Sequence, residues 1–417
     1  MPRKIALLLA GLYCFFIPFG DVLRRGEEAS LGLASLLIAG FVLISINRHM
    51  LAALMHPLAL VLSAMILLSV VGLISYPGNF VAGLTRTAAT YFYVVVLVAA
   101  VSIETRGDEL DRIINFLVCG MLVASTIAIV DSLGFYKFSF LKDAATASKV
   151  DGQQIEQAGG FFSRRSAMAA VYAVAVPLMA VIGLKKNTLV MRCLYLAASS
   201  VSWIALFLTH NRSGVLAIVA AVLWYIFYYS EGSLAKRLGS SLITVVVAGA
   251  FFAVVSIFFS EDLFVYVEKL SFLVEKDGEA SRSDASRIYF FIEAIKSLGS
   301  SPLGNGFTLM YTDLYGFKSP HNIITYLIWA TGVLSFVWLP LLFVQFKKSL
   351  RSNRYKTSSS EFYVLAIKLG VISFMLNNMT HNSFNTGIFW LLLGLGIGHR
   401  IMERKLIRKR SKERNIV

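Results

Sequence analysis

The sequence predicts an all-α polytopic membrane protein, with about twelve transmembrane helices and a large helical loop between spans nine and ten. Three observations predict it. Of the 417 residues, 57% are hydrophobic and 15% are charged, where a soluble domain carries roughly 25% charged residues. Apolar stretches of ~17–25 residues recur from end to end, each long enough to cross a bilayer as a helix. The alternating pattern of a membrane strand is absent from the sequence, and backbone polar groups in lipid must be satisfied within their own segment, which leaves helices.

The spans lie near residues 4–20, 29–46, 57–76, 87–104, 113–131, 166–184, 191–209, 213–229, 239–259, 323–346, 361–379 and 387–402. The first has a basic start, Arg3 and Lys4, and no small-residue cleavage site, so it reads as a retained helix rather than a removed signal. The chain then divides into residues 1–259, with nine spans and a polar loop near 132–165; residues 260–322, a polar loop with two helices; residues 323–402, with three spans; and a basic tail, 403–417. Cys14, Cys119 and Cys193 fall in apolar segments without metal or disulfide spacing and read as small buried hydrophobes.

Lys and Arg set the orientation. One set of loops carries Arg3, Lys4, Arg48, Arg106, Arg112, Lys185, Lys186, Arg192, Lys236 and Arg237, then the run from Lys347 to Lys356 and the tail. This set is cytoplasmic, and both termini lie on its side. The net charge of +15 is thus a topology signal and does not point to nucleic acid. The basic residues on the opposite, outer side need another reason to be there: Arg24, Arg25, Arg86, Arg164, Arg165, Arg212 and those of the 260–322 loop.

That loop is the longest polar interval between hydrophobic segments. Leu263, Val267, Leu270 and Val274 share one face of a helix over 262–275. A second helix starts near Ser283 or Asp284, both good N-caps, with a stripe of Ile288, Phe291, Ile292, Ile295 and Leu298. Arg287 then falls in its first turn, where free N–H groups and a partial positive charge favour an anion, and a guanidinium fork suits phosphate oxygens. Arg212 sits in a very short turn, Thr209-His210-Asn211-Arg212-Ser213-Gly214, at the height of a lipid-linked phosphate; its bland alternative is snorkelling to headgroups. His321 lies between Pro320 and Asn322 at the start of a span. A helix N-terminus disfavours the imidazolium there and keeps a neutral ring that can accept a proton. His381 has the same setting in Thr380-His381-Asn382, and His210 is a third candidate. The outer histidines have no metal-ligand partners in the sequence, so no metal and no cofactor is expected.

These pieces together resemble the O-antigen ligase and polymerase family of bacterial membrane glycosyltransferases. The matching residues are the turn with Arg212, Ser286-Arg287 at the head of an amphipathic helix, Pro302-Leu303-Gly304-Asn305-Gly306-Phe307, His321-Asn322 followed by Gly332, and Gly160-Phe161-Phe162 before a span. Ala330 and Ser335 depart from an acidic residue and a glycine frequent in the family. The resemblance implies an inner-membrane enzyme with a periplasmic site. Its donor would be an undecaprenyl-pyrophosphate-linked O-antigen and its acceptor lipid A-core. His321 would act as general base and Arg212 and Arg287 would hold the pyrophosphate, with Arg164, Arg165, Arg86, Asn322 and His381 as secondary candidates. The same donor chemistry would serve a polymerase or a protein O-oligosaccharyltransferase. A lipid-linked glycan flippase fits less well, since only Lys368 stands well inside a span and no repeat is evident.

Overall fold

The computed structural model describes residues 2–19, 33–74, 80–132, 148–150, 153–155, 161, 165–209, 211–229, 279–312, 316–318, 320, 322–350, 359–380 and 386–414. The predicted span at 239–259 and the predicted helix at 262–275 lie outside them. In chain order the helices are α1 (Pro2–Phe16), α2 (Leu33–Ser45), α3 (Arg48–Leu54), α4 (Pro57–Ile74), α5 (Phe80–Ser102), α6 (Gly107–Ser132), α7 (Arg165–Lys185), α8 (Leu189–Leu208), α9 (Arg212–Tyr229), α10 (Glu279–Ser300), α11 (Ile323–Thr331), α12 (Ser335–Ser349), α13 (Ser359–Asn378) and α14 (Gly387–Arg414). Two short antiparallel hairpins, Ser148–Val150 with Gln153–Ile155 and Met310–Thr312 with Gly316–Lys318, are the strands among the described residues.

The protein is an all-α polytopic membrane protein. Seven of its described helical stretches are long and apolar enough to cross a membrane. Large apolar side chains are exposed along the helices, with Val190 at 77% and Ile74 at 76%, as expected where the solvent is lipid. Helix α7 is apolar all round and enclosed by its neighbours, chiefly α8, α13 and α9. Within the bundle, polar groups pair off: Ser125 of α6 lies 3.0 Å from both the Tyr172 hydroxyl of α7 and the Ser202 hydroxyl of α8. Of the cysteines, Cys14 is buried as expected, but Cys119 and Cys193 are exposed on the outside of the bundle, where lipid accepts a thiol as readily as the core does.

Charged residues collect at one end. Arg3 of α1 pairs with Glu109 at 2.7 Å, and Lys405 of α14 pairs with Glu104 at 2.6 Å. Asp111 of α6 pairs with Lys186 and accepts from the Tyr363 hydroxyl at 2.8 Å. Arg3 and Lys405 therefore lie at the same end of the bundle; the opposite end is the outer end.

The packing register fixes the relative depth of the helices. Gly394 and Gly398 of α14 press against α5, where a Cβ would fall 2.6 and 2.8 Å from the carbonyl oxygens of Leu97 and Val101. The constant offset makes α5 and α14 parallel and sets Gly387, the first residue of α14, level with Thr90. At 1.5 Å per residue, α5 rises roughly 15 Å beyond the start of α14. On the other side, Phe374 of α13 stacks on Phe389 with centroids 4.1 Å apart, and Ile367 meets Gly396. This antiparallel pairing sets Asn377 level with Thr386. Gly370 of α13 against the Val174 carbonyl, and Gly214 of α9 against Ala169, bring Ala167 of α7 and Arg212 to the same level. The starts of α7, α9 and α14 and the end of α13 thus share one layer, below the outer end of α5.

The predicted span at 323–346 is the apolar stretch Ile323–Ser349, long enough to cross a membrane, with a break at Gly332, whose φ is +59°, between α11 and α12. One expectation is corrected. The helix expected to start near Ser283 starts at Glu279, because nothing from Glu279 to Ser283 interrupts a helix and an acidic residue suits its first turn.

Candidate functional site

The outer end of α11 is fixed by its own cap. Asn322 has extended φ and ψ, and its Oδ1 accepts from the Thr325 N–H at 2.6 Å. This satisfies one of the four free N–H groups of the first turn. Pro320, two residues earlier, is buried. The Asn322 amide, expected among the secondary site residues, is thus engaged in capping. His321 itself lies outside the described residues.

The inner end of α11 is held by the stretch before it in sequence. Asn305 N–H donates to the Trp329 carbonyl at 2.9 Å, Gly306 N–H to that of Ala330 at 3.1 Å, and Val333 N–H to that of Pro302 at 2.9 Å. The carbonyls of a last helical turn lack intrahelical partners, so the Pro302–Phe307 hook supplies them. Its geometry requires glycine: Gly304 and Gly306 have φ of +84° and +67°, which side chains rarely adopt. A Cβ on Gly72 of α4 would also fall 2.4 Å from the Gly304 carbonyl oxygen. Three backbones therefore meet at Gly72, Gly304 and Gly332. Trp329 Nε1 adds a bond to Thr308 Oγ1 at 3.0 Å.

Helix α10 packs on α11 through Phe290 and Ala294 with Ile328, Trp329 and Met310. Arg287 lies on α10, half-buried, two turns in rather than in the first turn, so the charge at a helix start does not act on it. Arg86 is exposed in the second turn of α5. Its guanidinium is close enough to the Tyr326 hydroxyl of α11 to act on it electrostatically, and the Tyr326 ring contacts Phe307 of the hook at 5.5 Å. The structure thus brings Arg86 to the first turn of α11 and the Arg287 helix onto the body of α11.

The second cluster is the turn between α8 and α9. Thr209 and Asn211 are buried. Asn211 Oδ1 accepts from Gly214 N–H at 3.0 Å, capping α9, and Thr209 Oγ1 accepts from Asn211 N–H at 3.2 Å. Arg212 is the first residue of α9 and Arg165 the first of α7; nothing is described of either side chain. Arg164, His210 and His381 lie outside the described residues. Helix α9 packs chiefly on α13, α7 and α8, and its first residue lies roughly 6 Å below the level of Arg86 on α5.

Residues 197–340 match the family described as O-Antigen ligase. This match supports the O-antigen ligase family. A comparison with curated proteins finds no match. The match supports a ligase- or polymerase-type function on lipid-linked polysaccharide in general. The matched segment holds the Arg212 turn, the Arg287 helix, the glycine hook and the His321-Asn322 pair. Arg86, Arg164, Arg165 and His381 lie outside it.

Asn377 and Asn378 went unnoticed in the sequence, because asparagines at a span end read as ordinary interface residues. In the structure both are fully buried. The Ser213 hydroxyl lies 3.1 Å from Asn377 Oδ1, and Asn378 Nδ2 donates to the Phe374 carbonyl at 2.9 Å. Lys368 of α13 rests over the Trp224 ring of α9 at 5.0 Å, a cation–π pairing inside the bundle.

Proposed function

We propose that the protein is an O-antigen ligase of the bacterial inner membrane. It moves polysaccharide from an undecaprenyl pyrophosphate carrier to a sugar hydroxyl of lipid A-core. The observation that carries this reading is the family segment itself, in which Arg212, Arg287 and His321-Asn322 occur in order across residues 197–340, with Asn322 as the outer cap of α11. Both termini are cytoplasmic, the outer end is periplasmic, and the loop 260–322 carries the catalytic machinery.

In the reaction the acceptor oxygen attacks the anomeric carbon of the donor sugar. The bond from that carbon to the diphosphate oxygen breaks, and the electron pair leaves with the carrier. His321 takes the proton from the acceptor hydroxyl, a transfer worth about 10²–10⁴-fold when the base is well placed. Negative charge grows on the leaving diphosphate, and Arg212 and Arg287 stabilise it without a metal. Arg86, beside the first turn of α11, is the best-supported of the secondary arginines. Direct displacement inverts the anomeric configuration.

The test is product identity. Full-length protein in detergent, with chelator present, is given polyprenyl-pyrophosphate glycan and lipid A-core. Glycan on lipid A-core supports the ligase. Longer glycan on the carrier alone transfers the reading to a polymerase, and transport into liposomes without transfer transfers it to a flippase.

A further inference from the structure

Helix α14 runs for 28 residues, Gly387–Arg414, and does not stop where its apolar stretch stops. Lys405 is held in the charged layer at the inner end by its pair with Glu104 at 2.6 Å, together with the Arg3–Glu109 and Asp111–Lys186 pairs. Past Lys405 the helix continues to Arg414, roughly 13 Å farther. The described side chains from Arg404 to Glu413 are exposed, so this extension stands clear of the bundle.

Its charge is one-sided. Between residues 400 and 414 stand eight lysines and arginines against two glutamates. Arg400 is engaged, donating to the Lys348 and Ser349 carbonyls at 2.8 Å. Beyond Lys405 the one ion pair among the described residues joins Lys409 to Glu413 at 4.0 Å, exposed on both sides. Arg404, Arg408 and Lys412 follow one another at a spacing of four; like charges at that spacing repel, and the negative pole of the helix offsets this only in the last turn. Setting orientation accounts for the sign of these charges but not for their mounting on one continuous helix that leaves the bundle. An anionic surface beside the helix relieves the repulsion, and a bilayer supplies one at the right depth. The headgroup layer is roughly 5–8 Å deep on each face, and its charge is felt for a further ~8 Å at physiological ionic strength, so the extension falls inside that range. A protein partner fits less well, because residues 408–414 carry no apolar or aromatic side chain to anchor one.

We propose that the C-terminal extension of α14 is a docking surface for anionic phospholipid headgroups, which gather around it in the leaflet it leaves. The inference is independent of the function proposed above. Full-length protein in phosphatidylcholine liposomes would be probed with spin-labelled phosphatidylglycerol and, separately, spin-labelled phosphatidylcholine, and the motionally restricted fraction of each compared. Wild type should prefer phosphatidylglycerol about threefold or more at low salt, with the preference fading as salt is raised. Arg408→Gln, Lys409→Gln, Arg410→Gln and Lys412→Gln together should remove most of that preference. Lys4→Gln, Arg112→Gln, Lys185→Gln and Arg192→Gln together take as many charges from elsewhere at the same end and should leave most of it. The described side chains among these eight are exposed, and melting temperature checks that each variant folds; should the first one fail to fold, Arg408→Gln with Lys412→Gln is read in its place and should lose part of the preference. A wild type that holds both lipids equally would overturn the inference. So would a tail variant that keeps the wild-type preference, a control variant that loses as much, or an extension that binds RNA and shows no lipid preference.

Discussion

Gly304 and Gly332 meet backbone to backbone: a Cβ on Gly304 would fall 2.6 Å from the Gly332 nitrogen, and one on Gly332 would fall 2.1 Å from the Pro302 carbonyl oxygen. This contact joins the hook at 302–307 to the break between α11 and α12, and so sets where α11 and its outer cap stand. Gly332→Ala adds a positive-φ penalty of ~1–2 kcal/mol to a clash that only backbone movement relieves. The expected outcome is a melting temperature in detergent several degrees lower and transfer activity reduced more than the remaining folded fraction explains.

The hook is also held by a side chain. Trp329→Phe keeps an aromatic ring but removes the 3.0 Å bond to Thr308, at a cost of about 1 kcal/mol beyond that of the lost indole volume. Thr308→Val removes the same bond from the other end. The double variant should lose less than the two single losses added together, since each breaks the same interaction; full additivity in thermal melts would show that the bond contributes nothing.

At the inner end, Asp111 serves two partners, Lys186 and the Tyr363 hydroxyl. Asp111→Ala leaves a mostly buried ammonium without its counter-ion. The expected loss is ~1.5–3 kcal/mol, read as a lowered melting temperature. Lys186→Met in the same background should recover part of it, because the stranded charge is then gone.

His56, at the foot of α4, gives a pH dependence. Burial, and then the charge of Arg400, lower its pKa from the ordinary 6.5, and its Nδ1 accepts from Leu58 N–H at 3.3 Å as a neutral ring does. The folded state thus binds the proton less readily than the unfolded chain. Its contribution is complete above the unfolded value and is lost as pH falls through the folded one. Melting temperature should therefore drop between about pH 7 and about pH 5, and His56→Gln should make that drop shallower.

The fold was legible in the sequence wherever a span is simply long and apolar. Helices α4, α7 and α8 begin and end within a few residues of their predicted bounds. The break at Gly332 was not legible, since its neighbours Trp329 to Leu334 are as apolar as any span and only the hook, distant in fold but near in sequence, explains it. The glycine hook and the His321-Asn322 pair could be picked out by family resemblance, but the reason for the glycines is a meeting of three backbones that no spacing reveals. Arg287 was given a helix-start role that an unbroken run from Glu279 removes.

The most direct measurement compares wild type, His321→Ala and Arg287→Ala for the rate of glycan transfer to lipid A-core, with folding checked by melting temperature. The account predicts that His321→Ala lowers the rate by about 10²–10⁴-fold while polyprenyl diphosphate still binds, and that Arg287→Ala lowers both rate and diphosphate binding. Transfer by folded His321→Ala at the wild-type rate would contradict it.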